Sequence, residues 1–168
     1  MEKYITISAK ERLNRKIDEL LEKQKGIGVE KGKAAGEFSS DWHDNAPYEQ
    51  LERDFQMVNR RIADLRDLLR GAQVIQVVDQ NERVTIGNTV HFYLNGQKKT
   101  VTIGSLGESE SKYDLISYQS PLGQLLIGLQ IGDVRTGTIV DKKVEVEVFD
   151  IEPPSNKYFD LQRNLKEW

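Results

Sequence analysis

The chain has 168 residues and a mass of 19.3 kDa, room for one ordinary domain or two small ones, and it holds no cysteine. Disulfides, thiolate zinc sites, iron–sulfur clusters and a cysteine nucleophile are thereby excluded, which fits a reducing cytoplasm. The first 72 residues are neutral, and the net charge of −3 comes entirely from the remainder, so neither part has the basic excess of a stand-alone nucleic-acid binder. There is no run of eighteen apolar residues. Met1-Glu2-Lys3-Tyr4 also lacks a basic flank leading into an apolar core, so a chain that is neither secreted nor membrane-spanning is expected.

Ser8 and Glu11 have capping-box spacing, which predicts a helix starting there. From it Leu13, Ile17, Leu20, Gln24, Ile27, Lys31, Ala34 and Phe38 alternate steps of four and three. This is a heptad seam with polar members at Gln24 and Lys31. A second seam, Tyr48, Leu51, Phe55, Val58, Ile62, Leu65, Leu69 and Ala72, has no polar member and closes near Gly71. Between them lies Ser39-Ser40-Asp41-Trp42-His43-Asp44-Asn45-Ala46-Pro47, too short to join anything but antiparallel neighbours. The expected element is a coiled-coil hairpin of about 45 Å, at about 1.5 Å per residue over some 30 residues. Gly26, Gly28, Gly32 and Gly36 fall in its first arm, where they serve either close helix contact or local bending.

After residue 72 the period changes. Val74–Val78, Val90–Leu94, Thr100–Ile103 and Lys143–Val148 read as antiparallel strands with one wet face, and Asn95-Gly96 is a hairpin turn. Ser120-Pro121-Leu122-Gly123-Gln124-Leu125-Leu126-Ile127-Gly128 has an N-cap, a proline at the first helical position and a closing glycine. One short helix covering one face of the sheet follows. The organisation is α+β: a helical hairpin over 1–72, a β domain over 73–152, and a tail over 153–168 that is partly ordered at best.

No phosphate-binding loop, dinucleotide fingerprint, zinc-protease motif or nucleophile elbow occurs, and His91 inside a strand reads as a satisfied sheet histidine. Chemistry is left to the hairpin tip. Asp41 and Asp44 are hard oxygen ligands of the type Mg²⁺ takes, one or two at a time. From spacing alone the favoured reading is the plainer one, in which Asp44 or Asn45 caps the second helix and Asp41 is a solvated turn residue.

The tip Asp41-x-x-Asp44-Asn45-Ala46-x-Tyr48, the apolar heptads after it, the Ser120–Gly128 segment and Gly132-Asp133 together resemble the bacterial Gre family of transcript-cleavage factors, almost throughout to Asp150. The resemblance implies an antiparallel coiled coil with two acids at its tip, followed by an FKBP-like β domain that docks on RNA polymerase. It implies a transcription elongation factor, not itself an enzyme, that enters the polymerase secondary channel and stimulates cleavage of backtracked RNA. Asp41 and Asp44 would then help hold a second Mg²⁺ shared with the polymerase and not bound stably by the chain alone. The alternative is a channel-binding regulator that inhibits or modulates polymerase without cleavage.

Further expectations follow the resemblance. Trp42, His43, Asn45 and Tyr48 would support the tip, and Trp42 suits either stacking on an extruded base or packing. Lys31, Lys33 and Arg53 are the nearest candidates for RNA contact, and Ser120 and Pro121 the candidates for polymerase docking. The partners would be bacterial RNA polymerase and the nascent RNA 3′ end within it, met by a cytoplasmic monomer with no membrane contact, and DNA-binding is an expected descriptor of such a factor. The second acid of the family is usually Glu and is Asp44 here, shorter by roughly 1–1.5 Å. A prolyl isomerase activity lacks an evident aromatic-lined pocket, and fold likeness does not convey activity.

Overall fold

The computed structural model describes residues 2–37, 46–156 and 158–160. Strand β1 (Lys3–Thr6) leads into helix α1 (Ile7–Glu37), followed by α2 (Ala46–Leu69) and β2 (Ala72–Ile75). Then come β3 (Thr89–Leu94), β4 (Gln97–Gly104), a 3₁₀ turn at Ser111–Tyr113, β5 (Leu115–Ser117), α3 (Pro121–Leu126), β6 (Val134–Ile139) and β7 (Lys142–Glu152). The chain forms two compact units, one of residues 11–72 and the other of residues 1–10 with 73–168. The α+β reading therefore describes the molecule, while the first ten residues go with the β unit and not with the helices.

Hydrogen bonds explain that difference. In β1, Tyr4 N–H donates to the Tyr118 hydroxyl at 2.7 Å, and Tyr4 C=O accepts from Leu106 N–H at 3.0 Å. Ile5 is fully buried. Thr6, not Ser8, accepts at the helix start: its Oγ1 takes the N–H of Ala9 at 3.3 Å, satisfying one of the donors a helix end leaves free. Ser8 lies inside α1.

In the helical unit both seams are buried in part. Leu13, Ile17 and Ile27 of α1 and Val58, Ile62 and Leu65 of α2 are buried. The two polar seam positions each meet a polar partner across the pair: Gln24 Nε2 donates to Asn59 Oδ1, and Lys31 Nζ donates to Glu52 Oε2. These pairs are seven residues apart on each helix and run in opposite senses, which makes the helices antiparallel and in register. Pro47 occupies the first turn of α2, where its missing N–H has no partner to lose. A Cβ added at Gly26, Gly28 or Gly32 would meet no atom within 4 Å, so these glycines do not serve close helix contact. Together they cost the helix about 2.5–3 kcal/mol relative to Ala. That is comparable to what burying one Ile contributes, about 1.5–3 kcal/mol.

The sheet of the β unit has strand order β5-β4-β3-β7-β6, antiparallel except for β5, which lies parallel to β4. Val90, Phe92, Ile103, Leu115, Leu126, Val146 and Val148 are fully buried. Helix α3 packs mainly on β6, and the approach is close enough that a Cβ on Gly137 would lie 2.4 Å from Leu125. Two hairpins have two-residue turns with positive φ at both positions: Asn95-Gly96 (50° and 79°) between β3 and β4, and Val140-Asp141 (47° and 62°) between β6 and β7. The segment after β7 is partly embedded. Tyr158 is 1% exposed, and its hydroxyl donates to the buried Glu108 carboxylate at 3.0 Å, since a buried carboxylate must find donors.

Three outcomes follow from this packing. Gly28→Ala and Gly32→Ala, with no atom to displace, should each stabilise the protein by about 0.4–1 kcal/mol, read as a rise in the denaturation midpoint. Val140→Asn with Asp141→Gly should add about 1–2 kcal/mol by removing a β-branched residue from left-handed backbone. The hydrogen bond from Lys31, and secondarily from Gln56, lowers the Glu52 pKa, while the bond to Glu52 raises that of Lys31. The contribution of the pair is thus complete between the ordinary values, 4.5 and 10.5, and is lost as pH falls through the lowered carboxylate value or rises through the raised ammonium value. The stability gap between the parent and Glu52→Gln should narrow below about pH 4.5 and shrink with added salt.

Candidate functional site

Helix α1 ends at Glu37 and α2 begins at Ala46. The segment between them, with Asp41, Trp42, His43, Asp44 and Asn45, lies outside the described residues. What is described is the approach to it. Lys31 Nζ sits 4.8 Å from the ring centroid of Phe55 and 5.6 Å from that of Tyr48, with its proton directed at Glu52. Glu52 Oε1 also accepts from Gln56 Nε2 at 2.9 Å. Tyr48 is half-buried and shares this cluster.

Of the three basic residues read as RNA contacts, Lys31 is therefore drawn into the helix pair, where two ring faces and a carboxylate hold it. Lys33 and Arg53 are exposed. The Arg53 guanidinium donates from Nη2 to Gln50 Oε1 at 3.0 Å and lies 3.6 Å from Glu49 Oε2, so its charge is partly offset within its own helix.

Ser120 and Pro121 stand at the start of α3. Ser120 Oγ accepts from Gly123 N–H at 3.0 Å and Pro121 is exposed at the first helical position. The other end of α3 is held by Arg135, whose Nη1 donates to the carbonyls of Leu125 at 3.0 Å and Ile127 at 3.1 Å, a cation where the helix dipole is negative. This short helix is pinned at both ends and presents Pro121 outward. Beside it an apolar groove of about 700 Å³ is lined by Tyr4, Ile75, Val78, Ile86, Tyr118 and Ile127, all of the β unit. Such a surface accepts apolar side chains.

The structure also brings together His91, Asp150 and Glu152, which the sequence reading did not connect. Asp150 and Glu152 two apart on a strand are a readable signal for one shared face. The 59-residue separation of His91 from Asp150 is not readable, because it depends on which strands pair.

Residues 79–153 match the family model described as "Transcription elongation factor, GreA/GreB, C-term". "Transcription elongation factor GreA" of Thermosipho melanesiensis is 31% identical over 133 residues, covering 78% of this chain and 84% of that protein. The protein of the same name from Halalkalibacterium halodurans is 28% identical over 151 residues, covering 88% and 95%. Among solved structures, the GreA factor homolog 1 (Gfh1) protein of Thermus thermophilus aligns over 90% of this chain and 99% of its own at 24% identity, with a TM-score of 0.44. With a relative above 30% identity spanned over most of its length, the chain belongs to the GreA/GreB family of transcription elongation factors.

Proposed function

We propose that this elongation factor acts on bacterial RNA polymerase through the secondary channel and stimulates endonucleolytic cleavage of RNA in backtracked complexes. The observation that carries the reading is the antiparallel, register-locked helix pair whose connecting segment holds Asp41 and Asp44, in a chain of this family. Two carboxylates and no thiolate form a hard donor set that fits Mg²⁺, so Asp41 and Asp44 are the residues that would hold it. A second Mg²⁺ there supplies Lewis-acid activation of water toward a phosphodiester.

The chain's own part is delivery. Asp41 and Asp44 bring two negative charges, Tyr48 packs beside Lys31 at the base of the segment, and Trp42, His43 and Asn45 flank the acids in sequence. Lys33 and Arg53 are the exposed cations nearest in sequence for an RNA phosphate. The β unit, through Ser120, the outward Pro121 and the adjacent groove, anchors the factor on the polymerase. Anchor and acids in one chain raise the effective concentration of the acids at the reaction centre. No catalysis by the isolated chain is required, and DNA is met only within the transcription complex.

The test is RNA cleavage in stalled elongation complexes with Mg²⁺. Asp41→Asn and Asp44→Asn should each reduce stimulated cleavage by about 10–100-fold, the scale for impairing a metal site, while polymerase binding persists. Cleavage at the parent rate in both variants would remove the metal role. Binding by the parent protein that slows the polymerase without cleavage would identify the inhibitory regulator instead.

A further inference from the structure

We propose that the outward face of the β3–β7 pair binds one divalent transition-metal ion of the Zn²⁺ class through His91, Asp150 and Glu152. The placement begins with strand geometry. His91 on β3 lies opposite Asp150 on β7, and cross-strand partners project to the same face. Glu152, two residues on, shares that face with Asp150.

An extra residue in β7 makes this possible. His91 pairs with Asp150 but Phe92 pairs with Val148, so Phe149 is a bulge. Before it, Val146 and Val148 are buried while Glu145 and Glu147 face out; after it, Ile151 is buried while Asp150 and Glu152 face out. Unbroken alternation would have turned both acids into the core. The Phe149 ring stays outside, 4.9 Å from that of Tyr93 and 6.1 Å from that of His91.

The three ligand atoms lie within 4.8 Å of one another. Ligands on a single ion with bonds of about 2.0–2.2 Å stand roughly 3–4 Å apart, a difference that rotation of an exposed carboxylate closes. The imidazole is already oriented. Its Nδ1 is 2.8 Å from Thr100 Oγ1 on β4 and its Nε2 is 3.0 Å from Glu152 Oε1. A carboxylate only accepts, so Nε2–H donates to Glu152; an ion would take the place of that proton, with Thr100 then accepting from Nδ1–H, the arrangement in which an outer partner fixes a metal-binding histidine.

Charge supports the same conclusion. A plain histidine–carboxylate pair needs one acid, yet the bulge brings a second beside it. Among the described residues neither carboxylate forms an ion pair with a lysine or arginine. A dication resolves that excess. One imidazole nitrogen with two carboxylate oxygens selects a borderline ion over Mg²⁺, which prefers oxygen and retains its waters. The site shares no residue with the acids at 41 and 44 and does not depend on the proposed polymerase chemistry.

The experiment uses the full chain, freed of metal by a chelator and titrated calorimetrically with Zn²⁺ in excess Mg²⁺. NMR follows the two histidine rings, and Co²⁺ serves as a visible-absorption probe. One ion per chain is expected, with the His91 ring resonances shifting on binding. Affinity should fall at least about tenfold in His91→Gln, Asp150→Asn and Glu152→Gln, and by about tenfold in Thr100→Val, which keeps all three ligands. All these positions are at least partly solvent-accessible. Melting of each metal-free variant verifies folding, and Thr100→Val preserves the test if His91→Gln fails to fold. Undiminished Zn²⁺ affinity in the ligand variants would put the ion elsewhere, as at His43, and overturn the assignment. Absence of saturable binding up to about 0.1 mM Zn²⁺, where a site of use to the fold would be filled, would overturn it as well.

Discussion

The sheet of the β unit depends on β3, which pairs with β4 on one side and β7 on the other. Its inward residues, Val90 and Phe92, have no exposed surface. Through β4 it positions β5, and through β7 it positions β6 and the helix α3 that packs on β6. A strand in that position cannot shift register by one residue without exchanging its buried and exposed faces. The β3–β7 ladder instead takes up one extra residue, Phe149, as a bulge. The core of β7 remains apolar on both sides of the bulge, and the outward series changes from Glu145 and Glu147 to Asp150 and Glu152. One inserted residue thus decides which acids lie beside His91.

In the helical unit the corresponding constraint is polar. Apolar seams alone allow neighbouring registers of similar burial, and a slip of one heptad moves one helix about 10 Å along the other. Gln24 opposite Asn59 and Lys31 opposite Glu52 oppose such a slip, because it would separate partners already removed from much of their water. The register matters at the far ends of the helices, since Glu37 and Ala46 bound the segment that carries Asp41 and Asp44. Lys31 belongs to that register lock: two rings and a carboxylate hold the ammonium that the sequence offers to RNA.

Family membership and the β unit's surface bear on the proposed role together. Helix α3 has six residues and little intrinsic stability, yet Ser120 caps its start and Arg135 binds the carbonyls at its end. A pinned helix with an outward proline changes little when it meets a partner, so less conformational freedom is lost on binding. In the proposed role, delivery of the acids and attachment to the polymerase fall to different parts of one chain.

Sequence alone determined what rests on local chemistry. The two seams, the proline in the first turn of α2, the Ser120-Pro121 start of α3 and the Asn95-Gly96 turn were all legible, because heptad spacing, capping and left-handed backbone preferences act over a few residues. Asp41 and Asp44 were legible as an acidic pair, and their segment lies outside the described residues. Tertiary structure decided the rest. The Val140-Asp141 turn has the same backbone signs as Asn95-Gly96 without its residues, since the Ile139–Lys142 pairing imposes it. Strand β1 and Tyr158 carry weak local signals and join the β unit through Tyr118, Leu106 and Glu108, far away in the chain. His91 meets Asp150 and Glu152 only after β3 and β7 pair around a bulge, and no residue-by-residue preference encodes a contact whose two sides are brought together by the burial of a shared core.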